Sequence, residues 1–385
     1  MADTRDAVTL DLHGLQDLVD LLARDGFTVL GPTVRDGAVV PGRISSVDDL
    51  PGGWGDQQEP GSYRLRRRDD GALFGFAADA VSWKSVLFPS RELIWEGRRT
   101  SDGFTVDTGD GSGPLGDPPY AILGIRSCDL HAVAVHDRIL RDRAYPDERY
   151  AARRKDAFLV TVACSDPSGT CFCVSMGTGP RAESGYDLAL TELLDGRHTF
   201  LARAGSDRGA AVLDQLASRP AAERDAVEAD RVVARAVQHM GRTMDTTDIR
   251  TLLYENADHP RWDDVANRCL SCGNCTMVCP TCFCTSVEEH TSLAGDRTER
   301  WRIWDSCFDT DFSYLHGGSV RSSPRSRYRQ WMTHKLASWI DQFGTSGCVG
   351  CGRCLTWCPV GIDITEEVAA IRADPQPPPT EDGSP

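Results

Sequence analysis

Lysine is nearly missing from this chain. Of 42 basic residues only three are lysines, Lys84, Lys155 and Lys335, a skew read as the mark of a GC-rich genome rather than of a function. Positive charge as a whole is in short supply, and the formal net charge is −15. That excludes sequence-independent nucleic-acid binding, which needs a dense basic surface to displace counterions. It also gives no reason to expect an anionic membrane partner. No run of eighteen apolar residues occurs, so no membrane span is expected. The opening MADTRDAVTLDLHGL lacks a basic flank followed by an apolar stretch, so no secretory signal is expected and a cytoplasmic location is. Catalytic signatures are missing too: no G-x-G-x-x-G after a strand, no Walker loop, no H-E-x-x-H and no G-x-S-x-G. Gly177-Thr178-Gly179-Pro180 has no clear helix behind it and is a weak nucleotide candidate. Nothing in the sequence looks able to make or break a substrate bond.

Cysteine is absent before Cys128 and abundant after it. The 385 residues, enough for two or three domains, hold 15 cysteines. A cytosolic compartment keeps thiols reduced, so clustered cysteines there read as metal ligands or redox groups rather than disulfides. Cys269-Leu-Ser-Cys272-Gly-Asn-Cys275-Thr-Met-Val-Cys279-Pro280 is C-x2-C-x2-C-x3-C-P. The pattern recurs as Cys348-Val-Gly-Cys351-Gly-Arg-Cys354-Leu-Thr-Trp-Cys358-Pro359. Three cysteines two apart wrap one 4Fe-4S cube, and the fourth reaches the neighbouring cube in two-cluster proteins. Hence Cys269, Cys272, Cys275 and Cys358 are assigned to one cluster. Cys348, Cys351, Cys354 and Cys279 are assigned to the other. Zinc also suits C-x2-C pairs, but would leave the third and fourth cysteines of each motif without a job. No His follows any pair, which excludes attached c-type haem.

The expected fold class is α+β. An N-terminal mixed α/β domain (1–245) with a βαβ unit precedes a C-terminal α-helical ferredoxin-like dicluster domain (246–373). A polar, Pro-rich tail (374–385) is expected to be disordered. Apolar spacing predicts a helix over Leu10 to Asp25, with Leu15, Leu18, Leu21 and Leu22 on one face. Ser62 to Pro89 reads as a hairpin around Asp69–Gly71, and Thr105–Pro119 as a loop. Tyr120–Ile125 and Ala157–Ala163 read as buried parallel strands joined by a helix from Asp129 to Arg141. Tyr186–Leu193 and Arg197–Ala204 form a hairpin, and Gly209–His239 reads as helical. The spacer of about seventy residues between the motifs is predicted to hold a hairpin and the amphipathic helix Arg325–Phe343. So long a spacer favours a helical over a compact ferredoxin arrangement.

Cys128 follows the first βαβ strand and Cys164 the second. Ligands bind beyond the carboxyl ends of parallel strands, and the loop Ser165–Thr170 can return Cys171 and Cys173 to that edge. These four would make a third 4Fe-4S site; the bland reading is a set of buried, inert thiols. Cys282, Cys284 and Cys307 read as packing near the clusters, as a further site, or as alternative ligands. Arg321, Arg325, Arg327, Arg329 and Lys335 read as a solvated helix face, or as a group offsetting cluster charge or docking a partner. His131 and His136 are assigned no role.

CLSCGNCTMVCPTCFC, the WDSCF segment with HGG after it, RSRYRQWMTHK and GIRSCDLHA together resemble one family over roughly Ser62 to Ile364. It comprises the β subunit of cytoplasmic NAD(P)-linked nickel–iron hydrogenases (sulfhydrogenases), together with the electron-transfer subunit of anaerobic sulfite reductase. The resemblance implies an electron relay. On one side stands a flavin-containing, NAD(P)H-binding subunit; on the other, either nickel–iron hydrogenase subunits or a sirohaem sulfite reductase subunit. The relay would itself hold no stand-alone catalytic site. A regulatory iron–sulfur sensor is the rival from another class; it predicts fewer, exposed and labile clusters.

Overall fold

A computed structural model describes residues 7–108 and 119–375. The loop read over Thr105–Pro119 falls mostly outside the described residues, as does the tail from residue 376. Eight strands form one mixed sheet. In spatial order they are Arg219–Pro220, Ala7–Asp11, Thr199–Ala204, Leu188–Leu193, Phe158–Val162, Tyr120–Ile125, Thr28–Arg35 and Ala38–Arg43. The four strands from Leu188–Leu193 to Thr28–Arg35 run parallel. Tyr120–Ile125 and Phe158–Val162 are buried at every position, as strands covered on both faces must be.

Alternation along Tyr120–Ile125 decides which core each side chain joins. Ala121 and Leu123 pack with Leu15, Leu18 and Leu22 of helix Leu12–Arg24. Tyr120 and Ile122 point to the opposite face, against Leu130, Val133 and Tyr150. Helix Leu12–Arg24 starts two residues later than its apolar pattern suggests, because Leu10 belongs to the strand and Asp11 caps Gly14 N at 2.9 Å. The helix expected over Asp129 to Arg141 spans Ser127–His136, with Cys128 in its first turn, and passes into a single π turn, Asp137–Arg141. The predicted βαβ unit and the Leu188–Leu193/Thr199–Ala204 hairpin are both present.

Two sequence expectations need correction. The strand Ser62–Arg67 pairs backwards with Trp54–Glu59, not forwards across Asp69–Gly71. Pro60-Gly61 supplies the turn, with Gly61 in the left-handed region at φ 73°. The helix expected over Gly209–His239 is split into Asp207–Leu213 and Glu223–Gln238, with the short strand Arg219–Pro220 between. Pro220 cannot donate an i−4 hydrogen bond, so a helix cannot run through it.

The C-terminal region is helical around a second core of Trp262, Tyr328, Trp331, Leu336 and Ile371. Pro324–Thr333, the π turn His334–Ser338 and Trp339–Phe343 follow one another as the predicted long helix. The spacer hairpin, Thr285–Thr291 with Arg297–Trp304, joins Arg91–Thr100 and Gly103–Asp107 in one four-stranded sheet. Contacts thus cross the division drawn near residue 245. Buried Arg353 makes a bidentate pair with Asp129, at 2.9 and 2.6 Å. It ties the second cysteine motif to the helix that follows the first βαβ strand.

Candidate metal centre

The duplicated motif repeats its backbone as well as its cysteines. Ser271 and Gly350 occupy equivalent positions and have φ of 51° and 65°. Gly273 and Gly352 are also equivalent; each is left-handed and opens a short helical turn, Asn274–Met277 or Arg353–Thr356. These bends fold each C-x2-C-x2-C segment around a common centre.

Cys269, Cys272 and Cys275 share a cavity with Cys358 of the other motif. It has about 460 Å³ of empty space, open mouth included, and Leu270, Phe308, Tyr328 and Trp331 also line it. Backbone N–H groups point at its sulfurs: Ser271 N donates to Cys269 Sγ at 3.4 Å, and Ile362 N to Cys358 Sγ at 3.3 Å. Cys272 is exposed and Leu270 beside it is 63% exposed, so one edge of this cavity meets solvent.

Cys348, Cys351, Cys354 and Cys279 are neighbours as well. Burial pushes the Cys354 thiol well up, and its strongest charged neighbours are Cys348, Cys351 and Cys279. Cys279 sits in a polar nest. Lys335 Nζ donates to Cys279 Sγ, Thr281 Oγ1 and Gly347 O, each at 3.2 Å, and reaches Cys282 Sγ at 3.5 Å. Burial disfavours the Lys335 charge, yet Cys279, Cys282 and Cys348 hold its pKa above the ordinary value.

Cys128, Cys164, Cys171 and Cys173 line one further cavity, of about 320 Å³, with Arg126, Ser127, Gly179 and Pro180. Strand ends at Ile125 and Val162 deliver the first two. The Cys171-Phe172-Cys173 loop is clamped by Phe172 N donating to Gly350 O at 2.8 Å. The Gly177–Pro180 turn packs here as well: a Cβ added at Gly179 would lie 3.1 Å from Cys173 Sγ. That turn serves the thiol cavity.

The three sets form a row. Cys354, of the second set, lines the first cavity, and Cys351, also of the second, lines the third. Their surroundings fit iron–sulfur groups. Tyr328 Oη and Trp331 Nε1 at the first cavity, and Arg126 Nε and Ser127 Oγ at the third, are buried without a hydrogen-bond partner among the described residues. Such donors suit the sulfides of a cluster. Burial pushes the thiols of Cys171 and Cys351 up to about 11 and that of Cys348 up to about 12. Without a metal these thiols stay protonated; a bound metal deprotonates them. All fifteen cysteines are free. Among the described residues, no three His, Cys, Asp or Glu side chains converge on a single-ion spacing.

Cys282, Cys284 and Cys307 surround the same region. Lys84 Nζ donates to Cys282 O at 3.0 Å, and Cys284 is the thiol that most raises the pKa of Cys307 after burial itself. The basic run does not act as one surface. Arg325 pairs with Asp263 at 3.0 Å, and Arg329 Nη1 lies 3.5 Å from Asp258 Oδ1. Buried Arg327 donates to Phe308 O, and among the described residues of the run Lys335 is the one that hydrogen-bonds thiols. His136 is buried, with Nε2 3.3 Å from Thr281 O, and His131 Nδ1 lies 2.9 Å from Ser127 O. Arg126, Arg353 and Lys84 also reach these sites, though no motif in the sequence marks them. The one signal that points to Lys84 is the rarity of lysine in this chain.

Residues 268–362 match the family model of a 4Fe-4S dicluster domain. The chain is 32% identical over 297 residues to the sulfhydrogenase 2 subunit beta of Pyrococcus furiosus, covering 75% of this chain and 84% of that protein. No solved structure matches the chain.

Proposed function

The chain belongs to the sulfhydrogenase β-subunit family, and from that premise we propose that it works inside a cytoplasmic hydrogenase, between the nickel–iron subunits and a flavin-containing subunit that binds NAD(P)H. It is an iron–sulfur electron-transfer subunit with a two-cluster domain, non-catalytic by itself. In this proposal Cys269, Cys272, Cys275 and Cys358 hold one 4Fe-4S cluster, and Cys348, Cys351, Cys354 and Cys279 the second. Cys128, Cys164, Cys171 and Cys173, from the domain ending near residue 245, hold a third. Each cluster, when bound, takes up and returns one electron.

The carrying observation is the row of shared walls. Cys354 belongs to the first cavity and Cys351 to the third, so the second set touches both. The chain's own work is to supply thiolates, to keep water out with Tyr328, Trp331 and Phe308, and to fix the order of the sites. Exposed Cys272 and Leu270 mark the end where electrons cross to a partner.

Purification with native companions tests this. The complex is expected to contain nickel and flavin, and the clusters of this chain to be reduced by hydrogen and by NAD(P)H. A sirohaem companion would move the chain to the sulfite reductase branch and overturn the hydrogenase assignment; the lack of any redox companion would overturn the relay.

A further inference from the structure

Two of the three lysines in this chain are buried: Lys84 is 5% exposed and Lys335 is 2% exposed. A buried ammonium is costly unless a negative group answers it. Among the described residues neither lysine makes an ion pair with a carboxylate; Lys335 donates instead to Cys279 Sγ at 3.2 Å and Cys282 Sγ at 3.5 Å. Lys84 stands behind it, on Cys282 O at 3.0 Å and 3.6 Å from the centre of the Trp304 ring. Backbone N–H groups serve both sites alike, donating to Cys269 and Cys358 at the first and to Cys348 and Cys279 at the second; the lysine is what the second site adds. Arg268, next to Cys269, is turned to Glu367 at 2.7 Å.

Resting on the ligand sets proposed above, we infer that Lys335, backed by Lys84, sets the potential of the second site above that of the first. The two ligand sets come from one repeated motif and exchange their fourth cysteine, so the thiolates themselves are nearly equivalent. What differs is the surroundings. Reduction adds a negative charge, which burial disfavours and a neighbouring ammonium favours. The exposed first site needs no such help; the enclosed second site does. Lys335 is therefore a positioning residue for the electron, holding it at the middle of the row, next to both outer sites.

The test is a redox titration of the full-length chain, loaded with iron and sulfide, followed by electron paramagnetic resonance. Lys335→Met is expected to lower one midpoint and leave the others in place. The expected size is at least a tenfold change in that cluster's oxidised-to-reduced ratio at fixed potential, about 59 mV for a one-electron couple. Lys335→Arg is expected to restore most of it. Unmoved midpoints at full iron content, or an equal shift of every midpoint, would overturn the inference. Should Lys335→Met lose its cluster, Lys84→Met decides: a smaller downward shift supports the inference, and an unmoved midpoint overturns it. Iron content reports on the ligand sets separately, so failure of the reading beneath is visible as missing iron rather than as an unmoved midpoint.

Discussion

Arg353 and Asp129 are each almost wholly buried and meet through two hydrogen bonds. Removing one partner of such a pair leaves an uncompensated charge and costs about 3–5 kcal/mol. Asp129→Asn and Arg353→Met are each expected to lower the unfolding free energy by that much, read by chemical denaturation. The double variant is expected to lose less than the sum, because the pair is then removed whole. Asp79 is the other residue with a charge problem. Burial, with Asp129 adding to it, raises its carboxyl from 3.8 to about 7, against the pull of Arg353 and Arg126. Neither of its oxygens has a hydrogen-bond partner among the described residues. The folded chain therefore binds a proton that the unfolded chain has already released between those two values. Stability from this group falls as pH rises through that window. Asp79→Asn is expected to flatten the slope of unfolding free energy against pH there; an unchanged slope would contradict it.

At the scale of elements, left-handed turns shape both motifs, and their two members differ in strain. Ser271 holds φ 51° with a side chain; Gly350 holds 65° without one. A Cβ at Gly350 would lie 2.6 Å from Phe172 O, against the loop that carries Cys171 and Cys173. Left-handed backbone costs an L-residue about 1–2 kcal/mol. Ser271→Gly is thus expected to stabilise by up to that amount. Gly350→Ala is expected to destabilise by more than that and to reduce iron at the third site, read by denaturation and iron assay. Elements with a local signal were legible in the sequence. Tyr120–Ile125 is apolar throughout because it is covered on both faces, and the Leu15, Leu18 and Leu22 stripe faces the core as its spacing requires. The partner of Ser62–Arg67 was not legible, because two turn signals flank that strand. Asp69–Gly71 looks like a turn, but Pro60-Gly61 makes one that also packs on the second motif: a Cβ at Gly61 would lie 3.1 Å from Cys358 O. Such long-range packing has no local trace.

Over the whole molecule, the sheet and the helical region each supply part of one row of thiol sites. The placing of Cys358 beside Cys269, Cys272 and Cys275 was legible from the repeat, because the fourth cysteine of such a motif reaches outwards. The convergence of Cys128 and Cys164 was legible from the parallel strands that end beside them. The joining of the sets through Cys351 and Cys354 was not, since it depends on how the Cys171–Cys173 loop docks on Gly350. Nor was the inward turn of Lys335, whose helical run also carries the carboxylate-paired Arg325 and Arg329. The central claim is that this row holds three clusters. Its most direct test is the iron and sulfide content of the full-length chain beside a Cys171→Ser, Cys173→Ser double variant, both loaded anaerobically. Four irons per site predict about twelve per chain for the native sequence and about eight for the variant. About eight in both would contradict the third site and shorten the relay to its two motif clusters.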